Sequence, residues 1–216
     1  MTARFRTIAL ALCATAALVG CRSKGDIVVE EGVGITALRT ACPAVGVPDY
    51  TGDVTLFNSD GRTASAMVLT AAITNVRATC DDSGAEVYSV ATFDVVGRRY
   101  NTQGPATVSL PYFSTVVRGD SAIVSKRVGV VTLNFAPGQE RAQATAQAGA
   151  YINRAEATLS DDIRKRITRR RKSGEEDAAI DPLNEPDIKA AVARASFELL
   201  VGFQLTKDQL AYNVTR

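Results

Sequence analysis

Cysteines, clustered carboxylates, adjacent Ser and Lys residues and one dense run of cations are the reactive or charged features of this chain. It contains no histidine. That removes the commonest general base and the commonest metal ligand. A Ser-His-Asp triad or a Cys-His pair is therefore excluded. The acids cluster at Asp81-Asp82, Asp161-Asp162 and Glu175-Glu176-Asp177. These places read as a turn, a helix start and a loop, where solvated carboxylates are expected. Ser125 and Lys126 are neighbours on a predicted strand, so their side chains point to opposite faces. The glycines at Gly32 and Gly34 lack the strand–turn–helix setting of a phosphate loop. The residue types predict a protein without catalytic activity, cofactor or metal.

The N-terminus supplies an address. Arg4 and Arg6 precede an apolar stretch from Ile8 to Val19, and small residues lead to Cys21. That is the plan of a secretory signal. The stretch is too short for a bilayer span, which needs roughly 20 residues. Leu18-Val19-Gly20-Cys21 resembles the lipobox of bacterial lipoproteins, which implies that Cys21 becomes the first mature residue and carries lipid. A multiply acylated cysteine would be a stable tether, whereas one chain holds only marginally. The residue after it is Arg22, not the Asp that retains lipoproteins in the inner membrane. The outer membrane, facing the periplasm, is the expected location. The tether runs from Cys21 to Val33.

Removal of residues 1–20 takes Cys13 with the signal and leaves 196 residues, enough for one sizeable domain. The full chain has 25 basic and 23 acidic residues. Without Arg4 and Arg6 the mature chain is formally neutral, which argues against nucleic-acid binding. With Cys21 lipidated, Cys42 and Cys80 remain as an even pair in an oxidising compartment. They are expected to form a disulfide. Two cysteines without histidine cannot complete a four-ligand zinc site.

The cation run is Arg164, Lys165, Arg166, Arg169, Arg170, Arg171 and Lys172, seven charges in nine residues. At helical spacing positions 165, 169 and 172 share a face, and Ile163 and Ile167 anchor the opposite side. Such a helix would meet anionic lipid headgroups or an acidic envelope partner. The plainer reading is a solvated helix balanced by the acids at 175–177.

These features need positioning elements. Period-two alternation predicts strands at Thr36–Cys42, Val54–Phe57, Ala64–Cys80, Glu86–Arg99, Ala106–Arg118, Ala122–Phe135 and Arg141–Asn153. Asp81-Asp82-Ser83-Gly84, Gly119-Asp120 and Ala136-Pro137-Gly138 are the turn signals between the later ones. The Ala-rich stretch Arg141–Ala148 has helix propensity, but its clean alternation favours a strand. Ser160-Asp161-Asp162 starts a helix running to Lys172. Pro186 opens a second helix to Ala195. Phe197–Leu205 is apolar on both faces, as a central or covered strand is. Thr206 and Gln209 form a capping box. The sum is a mostly β protein, an immunoglobulin-like antiparallel β-sandwich over residues 34–216. A helical insertion at about 156–196 precedes its C-terminal strand.

Several pieces are familiar together: Ala41-Cys42-Pro43, Cys80, Leu110-Pro111-Tyr112-Phe113, and Leu200–Thr206 followed by Gln209-Leu210 and Tyr212-Asn213. They resemble a family of uncharacterised lipoproteins of alphaproteobacterial type, over about residues 1–153 and 196–216. The resemblance implies an exported, lipidated, β-rich protein and no activity. Physically, Pro111 restricts Leu110 and cannot serve a central ladder, which predicts a strand starting at a sheet edge. The expected function is a structural or partner-binding role in the cell envelope, with the basic run as the contact. The alternative is a periplasmic carrier holding a lipid or other apolar ligand between the sheets.

Overall fold

The computed structural model describes residues 39–59, 61–119, 121–172, 174–177 and 180–216. The signal, Cys21 and the tether lie outside them. Residues 35–169 and 180–216 belong to one compact unit, and residues 170–179 fall in a second.

The first unit is the expected sandwich of two four-stranded sheets. Its strands are β1 (Ala44–Gly46), β2 (Asp53–Phe57), β3 (Met67–Asp81), β4 (Glu86–Arg99), β5 (Ala106–Arg118), β6 (Ala122–Phe135), β7 (Arg141–Asn153) and β8 (Phe197–Phe203). One sheet has the order β1-β8-β5-β6, the other β2-β3-β4-β7. All neighbours are antiparallel except β1 and β8. The insertion comprises α1 (Arg154–Ala157), α2 (Asp161–Thr168) and α3 (Pro186–Ala195); α4 (Lys207–Thr215) follows β8. β8 pairs on both sides, with β1 and β5, and Phe197, Leu199, Val201 and Phe203 on it are buried. Thr206 and Gln209 close the capping box at the start of α4.

Alternation and turns placed β4 to β7 where they are. The Arg141–Ala148 stretch is a strand because its alanines 142, 148 and 150 face the core while Arg141 and Gln143 stay exposed. Two expectations need correction. Residues 39–42 are not strand; the Cys42 N–H donates to Thr40 Oγ1 at 3.1 Å, a local bond that competes with ladder pairing. Pro43 follows, and the strand begins at Ala44. Pro111 does not start a strand either but sits inside β5. Its carbonyl accepts from Gln204 N at 2.9 Å, just past the end of β8. A residue's N–H and C=O share one side of a strand, so the missing N–H faces the place where β8 has run out.

The centre of the space between the sheets is filled. Val87, Phe93, Val95, Leu133, Leu199, Val201 and Phe203 are buried at 0–2% exposure. Ala71, Gly97 and Ala142 form one inward rung across β3, β4 and β7. A Cβ built on Gly97 would lie 2.3 Å from Leu133 Cδ1. This row of small residues admits Leu133 of the opposite sheet. At the end of β4, Arg99 is buried beneath the β6–β7 turn. It donates to the carbonyls of Gln139 at 2.7 Å, Gly104 at 2.6 Å and Ala136 at 2.7 Å. Three backbone acceptors compensate the desolvation of its charge.

Cys42 and Cys80 are joined, with Cα atoms 6.1 Å apart. Cys42 precedes β1 and Cys80 lies near the end of β3, so the disulfide links the two sheets covalently.

Candidate functional site

A hollow of about 760 Å³ lies on the outer face of the β2-β3-β4-β7 sheet. Register builds it in rungs. One rung is Asp53, Ala72, Val96 and Gln143; the next is Thr55, Thr70, Arg98 and Arg141. Ala72 and Val96 make a low apolar floor, and longer polar side chains rise around it. At the β2 edge, Arg216 pairs with Asp53. Helix α4 is held there by Asn213, whose amide donates to the carbonyls of Tyr50 and Asp53, both at 2.8 Å. Tyr212 packs edge-on against Phe57 at 5.1 Å.

Arg98 and Arg141 stand directly opposite each other on β4 and β7. Like charges in that position destabilise a sheet. Glu140 neutralises Arg98, to which it is ion-paired. The Arg141 guanidinium has no carboxylate partner among the described residues. The hollow thus carries one unmatched cation beside an apolar floor, the arrangement suited to an anionic group on a largely apolar partner.

In the adjoining rung of this outward face lies Asp94, only 8% exposed. Its carboxylate accepts from Asn75 Nδ2 at 2.7 Å and Thr145 Oγ1 at 2.8 Å. Asn75 has φ +52 and sits in the β3 irregularity between Thr74 and Arg77. Asp94 therefore stabilises an irregular strand, not a reacting atom. The bond from Asn75, then that from Thr145, holds its carboxyl below the ordinary range.

The basic run does not form one helical face. Helix α2 ends at Thr168, and Arg169 takes an extended backbone. Ile167 is the last buried position of the apolar side. Beyond it, continuing the helix would stack Arg169 and Arg170 over Lys165 and Arg166 without burying anything, and like charges at that spacing disfavour a helix. The N-terminal reading does hold, since Ser160 Oγ accepts from Ile163 N at 3.5 Å. The cations divide. Arg164 pairs with Asp161, and Arg166 pairs with both Glu185 and Asp187, tying α2 to the start of α3. That pairing lowers the Asp187 carboxyl and raises the Arg166 guanidinium. Lys165 is exposed on α2. In the second unit Arg171 is buried against Asp177, with 3.3 Å between Nε and Oδ2, while Arg170 and Lys172 are exposed.

Asp81 accepts from Ser83 N and Oγ at 3.0 and 2.7 Å in the β3–β4 turn, a structural use. Lys126 and Ser125 point to opposite faces, as the alternation requires; Lys126 Nζ lies 5.2 Å over the Phe113 ring. Among the described residues no group of three Asp, Glu or Cys is placed to hold a metal ion. No described helix is long and apolar enough to cross a membrane. Comparison of the chain with family models, curated proteins and solved structures finds no match.

The hollow was not read from the sequence. Its signal was present in part: Arg141, Gln143 and Thr145 as the polar half of β7, and Asp94 as a lone carboxylate inside the apolar run Val90–Val96.

Proposed function

We propose that this chain is a non-catalytic envelope protein, tethered by lipid on Cys21 and facing the periplasm, that binds a partner in the hollow on the β2-β3-β4-β7 sheet. One observation carries the reading: the sandwich presents a roomy hollow on an outer face, floored by Ala72 and Val96 and edged by the unmatched Arg141. A volume of about 760 Å³ lies within the usual range for binding sites, about 300–1,000 Å³. The filled centre weighs against the alternative of an apolar ligand carried between the sheets. The basic run is a weaker candidate for the contact, because Arg164, Arg166 and Arg171 are already engaged with acids of the chain. Lipoprotein export supports this reading through the N-terminal residues and the Cys42–Cys80 disulfide, which suits an oxidising compartment.

The test fills the hollow. Ala72→Arg with Val96→Arg changes exposed or half-buried positions of the outer face and should leave the melting temperature within a few degrees. In-cell cross-linking of the tagged protein should then lose its dominant protein adduct. An unchanged adduct in the folded double variant would remove the hollow from the interaction.

A further inference from the structure

Strand β6 is an edge, paired only with β5. Its second half behaves as a sandwich strand, with Val131, Leu133 and Phe135 buried at 0–4% exposure. Its first half does not. No residue from Ala122 to Val130 is buried, and Ile123, Val124, Val128 and Val130 are 58–68% exposed. Four β-branched apolar side chains within eight residues of one edge strand are a standing invitation to pair.

On β5 the stripe meets exposed Pro111 and half-buried Phe113, while Val117 is buried. Val130 lies opposite Pro111, Val128 opposite Phe113 and Ile123 opposite Val117. Lys126 interrupts it, and Arg127 projects from the opposite face of the strand. Neither has a carboxylate partner among the described residues, and β6 contains no acid. The neighbouring edge is treated differently. The hydroxyl of Tyr112 donates to the Gln147 carbonyl of β7 at 2.9 Å, and its ring covers Gly129. A Cβ on Gly129 would meet that ring at 2.5 Å. The stretch Ser125–Val130 keeps regular register with β5, the irregularity falling at Val124.

We propose that Ser125–Val130 of β6 accepts an additional β-strand from a partner protein, and that this strand is acidic and alternately apolar. Main-chain hydrogen bonds along the open edge supply the docking, and side-chain chemistry supplies the selection. The charges decide the occupant. Pairing β6 with a second copy would gather two Lys126 and two Arg127 at one junction with no β6 acid to offset them, the device by which edges resist self-association. Arg127 lies on the face opposite Val128 and Val130, so a strand with Glu or Asp at alternate positions sets its acids on the Arg127 face and turns that repulsion into attraction. Its valine-like side chains extend the apolar stripe formed by Val128, Val130 and Phe113.

The probe is a ten-residue peptide of alternating valine and glutamate, dye-labelled and titrated into the full chain, with anisotropy as the readout. Two further peptides replace every glutamate by lysine, or methylate alternate backbone nitrogens. The acidic peptide should bind saturably, the lysine peptide at least tenfold more weakly, and the methylated peptide not at all. Lys126→Glu with Arg127→Glu changes only exposed side chains, and it should reverse the preference between the acidic and lysine peptides. Four results would overturn the proposal: no binding of the acidic peptide, equal binding of both charge types, binding indifferent to backbone methylation, or preference unchanged in the folded double variant. A dimer of the unliganded chain in sedimentation, dissolved by the same double variant, would give the edge to a second copy instead. The hollow on the other sheet is independent of each outcome.

Discussion

Replacing Cys42 and Cys80 together by alanine removes the covalent tie between the sheets. The residues are 38 apart in sequence, and releasing that loop in the unfolded chain costs about 4 kcal/mol of stability in the loop-entropy model. Packing adds little, since Cys80 is exposed and Cys42 only partly buried. For a domain of this size each kcal/mol moves the midpoint by about 2–4 °C, so melting should fall by roughly 8–16 °C. The assay is thermal unfolding followed by circular dichroism, with wild type in the presence and absence of reductant as reference. Reduced wild type should match the double variant. Hydrogen exchange should quicken first at Ala44–Gly46, because β1 pairs for only three residues with β8 and is anchored close by through Cys42. A midpoint within 3 °C of oxidised wild type, with exchange at β1 unchanged, would refute the claim that the disulfide stabilises the sandwich and anchors β1.

Gly97→Ala should destabilise by about 1–3 kcal/mol through overpacking against Leu133; adding Leu133→Val should recover part of that loss in a double-mutant cycle followed by denaturant unfolding. Stability should be flat above about pH 5 and fall as the pH drops below the ordinary carboxylate value of about 4. Asp94, Asp187 and Asp81 all have lowered values, held down first by Asn75, Arg166 and Ser83 respectively. Unfolding then takes up protons in that window; Asp94→Asn should flatten the acid limb, and an unaltered limb would exclude Asp94 from it. Cys21→Ala should abolish acyl labelling and release the protein from membranes, whereas continued retention would show a different anchor.

Strand identity was legible where alternation and turn chemistry agreed. The Asp81–Gly84 and Ala136–Gly138 turns bound strands whose inward residues repeat every second position, and β4 to β7 follow from them. The cap residues Ser160 and Thr206 were equally legible, because a cap is a local hydrogen bond. What was not legible depends on register between distant strands. Nothing local places Arg98 opposite Arg141, or sets Ala72 beside Val96 as a floor. The end of α2 was missed because helical spacing of charge was extended past Ile167, where nothing remains to bury. Pro111 was misjudged because its tolerance depends on where β8 stops, a fact of a segment some ninety residues away.

The most direct test of partner binding at the hollow is site-specific photo-cross-linking in cells. A photoreactive residue is placed in turn at Val96 in the hollow, Lys165 on the basic helix and Val128 on the β6 edge. Binding at the hollow requires a dominant protein adduct from position 96, weakened in the Arg141→Glu background. An adduct from position 165 with none from position 96 would return the contact to the basic run and contradict the proposed function.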